Sequence, residues 1–266
     1  MTANQASKAD SFSKISRKNW IVKRLSETGR IHVDDIANEF HVSKMTAWRD
    51  LNRLADDKEY SKVYGGLIKN SKETNLELPF EEKRQQNLIK KRQIARFAAE
   101  NFINENQIVI FEGSSTVFEM IPYLRVQDLT ILTNGVKSMY YCVKKNPNYK
   151  VFSCGGIVRE KSMTLIGEAA RDFFSKFRAD TLFLSGAGFT LKDGLMDPDI
   201  DDHSLKKIMC ERAKQIIVLV DSSKLEKPSL ISTIPLEKID IVVTNKGISD
   251  EIKFELEQHQ IKLYLV

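Results

Sequence analysis

The chain from residue 107 onwards is organised by seven short apolar segments that are rich in β-branched and aromatic residues. They cover residues 107–111, 129–132, 150–153, 181–185, 215–220, 240–244 and 262–266. Successive positions are apolar, which is typical of strands buried on both faces of a parallel sheet. Helix-compatible stretches separate most of them, at residues 116–124, 136–145, 167–177 and 202–212. This alternation predicts an α/β fold with an open, mostly parallel sheet covered by helices on both faces.

The first 70 residues follow a different pattern, in which apolar residues recur at helical spacing in short segments. The first segment covers residues 16–28 and ends at Gly29, and the second covers residues 34–40. Ser43 is a favourable N-cap for a third helix, whose apolar residues Ala47, Leu51 and Leu54 share one face. Residues 58–68 combine β-prone pieces with a Gly-Gly pair, which indicates a hairpin. The order of these elements predicts a small α+β winged helix-turn-helix.

The two patterns divide the chain into two domains. Residues 71–83 are polar and contain a proline, which is typical of a linker. We predict a flexible basic N-terminus over residues 1–15, a winged helix-turn-helix DNA-binding domain over residues 16–70, a linker over residues 71–83 and an α/β domain over residues 84–266. A long helix over residues 84–104 is expected to couple the two domains, because it lies between them.

The excess positive charge is concentrated near the N-terminus. Residues 1–70 contain 13 Lys and Arg against 9 Asp and Glu, whereas the remaining residues contain 28 against 27. Nucleic-acid-binding modules carry such a local excess of cations. The charge distribution therefore agrees with a DNA-binding first domain.

Several classes of protein are disfavoured by what the sequence lacks. Its three cysteines, Cys142, Cys154 and Cys210, lie far apart, and its four histidines are scattered. We therefore expect no disulfide framework, no metal site and no cofactor, and a reducing cytoplasm fits this usage. No apolar run approaches the roughly 18 residues of a membrane span. The first residues contain no apolar core of a secretory signal, so we expect a cytoplasmic protein without membrane partners.

The third helix is the candidate for reading DNA, since the recognition helix of this motif presents its N-terminal half to the major groove. Opposite its apolar stripe lie Lys44, Met45, Trp48, Arg49 and Asn52. An arginine is suited to guanine, an asparagine to a base edge or phosphate, and a lysine to phosphate.

Further DNA contacts are expected around the third helix. The hydroxyls of Ser43 and Thr46 serve either as helix caps or as phosphate contacts. Basic residues before the first helix and in the wing would attract the DNA backbone irrespective of sequence. They are Lys14, Arg17, Lys18, Lys58 and Lys62.

Small and polar residues follow five of the predicted strands. In open parallel sheets, ligands bind beyond the carboxyl ends of the strands. Here these ends lead into residues 112–116, 133–135, 155–156, 185–188 and 221–224. The first loop combines hydroxyl groups with the start of a predicted helix, which is a favourable place for an anion. Lys224 supplies a cation for a phosphate. These loops predict a ligand site at this edge of the sheet.

The N-terminal pattern resembles the DeoR/GlpR family of bacterial transcriptional regulators. The matching residues are Val42, Ser43, Thr46, Arg49, Asp50, Leu51, Gly65 and Gly66. Ala47 and Trp48 depart from the family, which usually has a larger aliphatic residue and an arginine there. The second departure removes a cation from the reading face, so the operator sequence is expected to differ from those of relatives.

The resemblance extends over the second domain, which in this family is similar to ribose-5-phosphate isomerase and glucosamine-6-phosphate deaminase. It implies a phosphorylated sugar as effector, with the phosphate held by Ser114, Ser115, Thr116 and Lys224. The residues expected to line the rest of the site are Glu112, Gly113, Thr133, Asn134, Gly155, Gly156 and Asp221. Phe111 stands where relatives usually carry an aspartate, and Glu112 either substitutes for it or indicates a different effector. Asp202 stands where a glutamate is common.

Three functions are compatible with these features. The first is a cytoplasmic, non-enzymatic transcriptional regulator, a repressor of a sugar-metabolism operon that binds double-stranded operator DNA as a homo-oligomer (a dimer or tetramer). The second is a sugar-phosphate isomerase or deaminase with an appended DNA-binding domain, for which Glu112 and Asp221 remain possible bases. The third is a module that uses its helix-turn-helix for protein contacts. The resemblance favours the first.

Overall fold

The computed structural model describes residues 16–26, 28–55, 60–63, 65–69 and 78–266, with the side chains of 61–63, 68 and 69 left out. The chain separates into two compact units, Met1–Leu76 and Glu77–Val266. The domain limits deduced from the sequence stay predictions.

The described residues of the first unit form three helices around a small apolar core. They are α1 over residues 16–26, α2 (Val33–Phe40) and α3 (Lys44–Leu54). The turn between α2 and α3 depends on His41, which has a left-handed φ of 48° and ends α2. Ala47, Leu51 and Leu54 of α3 are all buried in the core of this unit, which confirms the predicted inward stripe.

The wing is a three-stranded antiparallel sheet. Strands β1 (Arg30–His32), β2 (Tyr60–Val63) and β3 (Gly66–Lys69) lie in the order β1–β3–β2. The sequence predicted the β2–β3 hairpin and missed β1. Gly66 faces the carbonyl oxygen of Ile31 so closely that a Cβ would lie 1.9 Å from it. Gly65 has a φ of +84°, so both glycines are required by the backbone.

The second unit contains twelve strands and seven α-helices within its described residues. The strands are β4 (Ile108–Phe111), β5 (Thr130–Thr133), β6 (Lys150–Ser153), β7 (Ile157–Arg159), β8 (Thr164–Ile166), β9 (Ala179–Leu184), β10 (Gly188–Thr190), β11 (Gly194–Asp197), β12 (Ala213–Leu219), β13 (Ile231–Ile234), β14 (Ile241–Thr244) and β15 (Lys262–Leu265). The helices are α4 (Phe80–Gln85), α5 (Leu88–Phe102), α6 (Ser115–Phe118), α7 (Val136–Lys145), α8 (Glu168–Lys176), α9 (Ile200–Arg212) and α10 (Asp250–Gln258).

Seven of the strands form one parallel sheet, in the order β15–β14–β12–β9–β4–β5–β6. They correspond to the seven apolar segments of the sequence. Alternate residues of one strand enter two different cores: Val109 and Phe111 of β4 join one, and Ile110 joins the other. The predicted α/β architecture with two covered faces is therefore confirmed.

The structure adds elements that the sequence did not predict. Strands β10, β11 and β13 form a second, antiparallel sheet, and β7 pairs with β8 as a hairpin. The helix predicted over residues 84–104 is present as α5 but starts later, at Leu88, because the helix is interrupted between α4 and α5. Asn87 stands at the break with a left-handed φ of 53° and ψ of 32°. The start of α4 at Phe80 also lies inside the predicted linker.

A search of the described helices for a long apolar segment able to cross a membrane finds none.

Candidate DNA interface and effector site

The outer face of α3 presents polar and apolar side chains to solvent. Met45 is 73% exposed, and Arg49 and Asn52 are exposed as well. The buried stripe on the other side of α3 fixes the rotation of the helix, and with it the direction of this face. The structure therefore brings Met45, Arg49 and Asn52 together on one accessible surface.

Lys44 begins α3 and is already paired with a carboxylate. Its ammonium lies 2.7 Å from Asp34 Oδ1 of α2, and this hydrogen bond lowers the pKa of Asp34. The pair is exposed, and exposed ion pairs contribute little to stability. Lys44 is therefore free to exchange this partner for a DNA phosphate at small cost.

Ser43 and Thr46 form the N-terminal cap of α3. Ser43 Oγ accepts a hydrogen bond from the backbone N–H of Thr46 at 3.2 Å, and the two hydroxyl oxygens are 3.0 Å apart. The structure thus shows the capping role of Ser43, whereas a phosphate contact by either hydroxyl stays a prediction.

Trp48 is half-buried and packs against the apolar core of the first unit. Part of the Trp48 ring is therefore used in packing and only the remainder is accessible to DNA. Its contact with DNA stays a prediction.

Arg17 was expected to attract DNA, and the structure assigns it a different role. It is 6% exposed, and its Nε lies 2.8 Å from Asp50 Oδ2 of α3. A buried pair of this kind connects α1 to the recognition helix. Lys18 is exposed, whereas Lys14, Lys58 and the side chain of Lys62 lie outside the described residues.

At the other candidate site, five neighbouring strands end at one edge of the parallel sheet. These strands, in the spatial order β12–β9–β4–β5–β6, lead into the loops 221–224, 185–188, 112–116, 133–135 and 155–156. Because the strands are parallel, their carboxyl ends meet at the same edge. The fold therefore places all five predicted loops side by side.

Glu112 is buried in the first of these loops and is bound on several sides. Its Oε2 accepts hydrogen bonds from the N–H groups of Ser114 at 3.2 Å and Ser185 at 3.4 Å. Its Oε1 lies 3.7 Å from the ammonium of Lys206. These backbone N–H groups and the ammonium form a cluster suited to an anion, and the carboxylate of Glu112 already fills it.

Lys206 of α9 is buried between two carboxylates. Its ammonium lies 2.7 Å from Asp197 Oδ1 and donates to the carbonyl oxygen of Ser185 at 2.7 Å. Although burial alone would lower it, the pKa of Lys206 is raised, because Asp197 and Glu112 stabilise the charged form. Asp197 Oδ2 is buried with no hydrogen-bond partner among the described residues.

Asp202 lies on the same helix, beside Arg159 of the β7–β8 hairpin. Arg159 NH1 lies 2.6 Å from Asp202 Oδ2. Burial raises the pKa of Asp202 to about 6, although Lys206 and Arg159 act in the opposite direction. The ion pair of Asp202 with Arg159 therefore connects the β7–β8 hairpin to α9.

Lys224 extends towards the loop after β9. Its ammonium donates to the carbonyl oxygen of Gly186 at 2.6 Å and to Ser185 Oγ at 3.3 Å. Burial lowers its pKa and Lys206 lowers it further, whereas Asp221 raises it. Ser185 thus lies between Lys206 and Lys224 and connects their two clusters.

Lys91 of α5 completes the cationic side of the site, and the sequence analysis did not count it as a site residue. It is 3% exposed and donates to Ser115 Oγ at 3.2 Å and to the carbonyl oxygen of Lys83. Burial lowers its pKa to about 8, and the positive charge of Lys224 contributes. Two lysines that disfavour each other's charge form a favourable place for an anion.

Thr133 and Asn134 are buried and support the loops from within. Thr133 Oγ1 donates to the carbonyl oxygen of Phe111 at 2.6 Å and accepts from the N–H of Gly135 at 3.0 Å. Asn134 Oδ1 accepts from the N–H of Gly113 at 2.9 Å. These two side chains therefore fix the 112–116 loop, and their contact with a ligand stays a prediction.

The remaining predicted residues differ in their surroundings. Ser114 is half-buried and caps α6, whereas Thr116 is fully buried with no partner for its hydroxyl among the described residues. Gly155 and Gly156 are exposed. Gly156 lies against Ile166 and Ala170, in the turn that leads into the β7–β8 hairpin.

A charged residue inside an apolar stripe was the sequence signal for Lys91. It precedes Ile94, Ala95 and Ala98 at helical spacing, and all of these side chains are buried on one face of α5. Lys206 similarly adjoins the buried residues Leu205 and Met209. A lysine at such a position is buried only when it is paired or functional.

Comparisons with known proteins agree for both units. The DeoR-like helix-turn-helix domain matches residues 17–73, and the DeoR C terminal sensor domain matches residues 86–246. The HTH-type transcriptional regulator GolR of Listeria innocua is 31% identical over 237 residues, covering 88% of this chain and 91% of that protein. The putative aga operon transcriptional repressor of Escherichia coli O157:H7 is 29% identical over 252 residues, covering 94% and 93%.

Among solved structures, ribose 5 phosphate isomerase A from Neisseria gonorrhoeae aligns with a TM-score of 0.37 at 16% identity, over 51% of this chain and 52% of that chain. The sensor-domain match alone spans more than half of the chain, and the helix-turn-helix match precedes it in the expected order. This chain belongs to the DeoR family of transcriptional regulators.

Proposed function

We propose that the protein represses a sugar-metabolism operon by binding operator DNA through α3, and that a phosphorylated sugar bound at the edge of the parallel sheet modulates this binding. The observation that carries the effector assignment is the pair formed by Lys91 and Lys224. Both are lysines of lowered pKa, and each hydrogen-bonds a serine hydroxyl of a neighbouring loop. Transcriptional repression in a close relative, the putative aga operon repressor, supports the regulatory role.

The phosphate would be held by the two lysines together with Ser114, Ser115 and Thr116. A dianion relieves the repulsion between the lysines and accepts hydrogen bonds from the hydroxyl groups. Because Glu112 already occupies the cluster around Lys206, the anion is expected at the Lys91 side of the loop. Asp221 and the Gly155–Gly156 turn would then lie towards the sugar.

The function of a sensor is favoured over that of an isomerase or deaminase. A general base needs a carboxylate that is free to take a proton. Glu112 is held by Lys206, and Asp221 accepts hydrogen bonds from Ser223 and Asn87. The loop over residues 185–189 contains no acid. Turnover of ribose 5-phosphate or glucosamine 6-phosphate at ordinary enzymatic rates would contradict this proposal.

The proposal places the protein in the cytoplasm, where its operator is accessible, as a homo-oligomer on repeated half-sites. The effector changes DNA binding only by its difference in affinity for the two conformations of the protein.

A gel shift on the DNA upstream of the gene, titrated with a panel of phosphorylated sugars, tests the whole proposal. We expect a specific complex whose amount changes with one member of the panel and not with the unphosphorylated sugar. The absence of a specific complex both without and with every ligand would refute repression. A complex insensitive to all ligands would refute the effector assignment alone.

A further inference from the structure

The break between α4 and α5 is attached to the 221–224 loop by side-chain hydrogen bonds. The side-chain amide of Asn87 donates to Asp221 Oδ1 at 3.1 Å and to Ser223 Oγ at 3.0 Å. Lys90, in the first turn of α5, donates to Ser222 Oγ at 3.3 Å. Three consecutive residues of the loop therefore contact the break, across more than 130 residues of sequence.

A second connection runs from the break to the 112–116 loop. Lys91 donates to the carbonyl oxygen of Lys83 in α4 and also to Ser115 Oγ. An anion that binds Lys91 competes with the Lys83 carbonyl for the same ammonium. The two loops that form the candidate effector site thus both hold the junction of α4 and α5.

This junction lies where the chain enters the second unit. Helix α4 is the first described helix after the winged helix-turn-helix, and its N-terminus leads back along the chain to that domain. Asn87 takes a left-handed conformation, which asparagine tolerates better than most residues. The backbone conformation of Asn87 therefore sets the direction in which α5 continues from α4.

We propose that Asn87 is a positioning residue that couples occupancy of the effector site to the junction of α4 and α5. The inference rests on the proposed function, because it takes the 221–224 loop and Lys91 as the place of the effector phosphate. A bound phosphate accepts hydrogen bonds from Lys91 and from hydroxyl groups of the 221–224 loop, and the junction then loses contacts that hold it. Such exchange supplies the difference in affinity between two conformations that regulation requires.

The substitution Asn87→Gly separates side chain from backbone. Glycine adopts the left-handed conformation without strain, so the break is kept and the amide is removed. Asn106→Gly is the matched control, since Asn106 is also exposed and left-handed, with a φ of 60°, but lies at the other end of α5 before β4.

The full-length wild type and both variants are titrated with inorganic phosphate, and calorimetry measures the affinity. Hydrogen exchange of residues 82–91 is measured with and without phosphate. The amides of Gln86 and Lys91 report on the junction, because they donate to the carbonyl groups of Glu82 and Asn87. We expect phosphate to change their exchange rates in the wild type and in Asn106→Gly. In Asn87→Gly we expect phosphate affinity within about fivefold of the wild type and loss of the exchange response.

The outcomes distinguish this inference from the proposed function. If Asn87→Gly binds phosphate and keeps the hydrogen-exchange response, the role of Asn87 is overturned and the effector site stands. The same holds if the wild type binds phosphate without any hydrogen-exchange response. An equal loss in Asn106→Gly also overturns it, because the effect would then belong to α5 as a whole. Failure of the wild type to bind phosphate overturns the effector site and this inference together.

Discussion

At the scale of single residues, Arg49 is the side chain on which DNA recognition is expected to depend most. It is exposed on α3, between the exposed residues Met45 and Asn52. We expect Arg49→Ala to weaken binding to the operator by about 1–3 kcal/mol, the usual value for a bidentate base contact. Fluorescence anisotropy at one fixed salt concentration measures it. Arg53→Ala removes the same charge from the same helix, and an equal loss in both variants would contradict base reading by Arg49.

Arg17 and Asp50 illustrate a residue pair whose role is structural. The motif that resembles the family includes Asp50, and the structure shows why an acid is needed there: it pairs with a buried arginine of α1. We expect Arg17→Ala to lower the free energy of unfolding of the first unit by about 3 kcal/mol, because the half-buried carboxylate of Asp50 then keeps only the exposed Arg53, at 3.8 Å, as an ion-pair partner among the described residues. Chemical denaturation measures this, and a change no larger than that of Lys18→Ala would contradict the assignment.

The lowered pKa of Lys91 predicts how effector binding depends on pH. Its pKa is lowered to about 8, so its ammonium is charged below that pH and loses its charge as the pH rises through it. Phosphate affinity is therefore expected to fall above pH 8, well before an ordinary lysine would lose its charge near 10.4. Arginine stays charged throughout, so Lys91→Arg should make this alkaline decline smaller, whereas Lys224, whose pKa is also lowered, still contributes to it. Calorimetric titrations across this pH range measure the phosphate affinity. If the affinity of the wild type does not change up to pH 10, Lys91 is excluded from the site.

At the scale of elements, the wing depends on a close approach between two strands. A Cβ at Gly66 would meet the carbonyl oxygen of Ile31 in β1, so the pairing of β1 with β3 cannot survive Gly66→Ala unchanged. We expect a loss of about 2 kcal/mol or more in the stability of the first unit. Gly155→Ala is the control, since a Cβ there meets nothing within 4 Å. Thermal unfolding that ranks the two variants equally would contradict this account.

The elements that could be predicted from the sequence are those whose burial is complete. The seven strands of the parallel sheet are apolar at successive positions because both of their faces are covered, and this pattern is local. The hairpin β7–β8 has exposed residues such as Ile157 and Val158, and its strands have three residues each, so no periodicity identifies it. The break at Asn87 depends on contacts with residues more than 130 positions away, which no local pattern contains.

The candidate site divides in the same way. Loops at the ends of parallel strands could be placed together from strand order alone, and the fold does place them together. The sequence could not predict which side chains of these loops point inward, because their direction depends on contacts between residues that are distant in the chain. Glu112 is an example: its partners Ser185 and Lys206 follow 73 and 94 positions later, and they turn a candidate ligand contact into an internal ion pair.

At the scale of the whole molecule, the end of the parallel sheet at β6 is the candidate surface for self-association. Six of the twelve exposed large apolar side chains of the described residues lie between residues 140 and 158, on α7, β6 and β7. Strand β6 is the last of the sheet and leaves one edge of its backbone unpaired. Unpaired edges with apolar neighbours favour pairing with another chain.

We therefore expect a homo-oligomer that contacts its copy through this surface, and expect the double substitution Tyr140→Ser and Phe152→Ser to dissociate it. Tyr140 is 56% and Phe152 is 43% exposed, so their removal costs little in the core of one chain. Phe254→Ser is the control, because Phe254 is 56% exposed on α10, beside the opposite end of the sheet. Sedimentation velocity measures the mass of each variant. If the wild type is monomeric, or if the control dissociates as readily, the β6 surface is not the interface. If only the double variant becomes monomeric, we expect its affinity for paired operator half-sites to fall. Its phosphate binding should persist, because the effector loops lie within one chain.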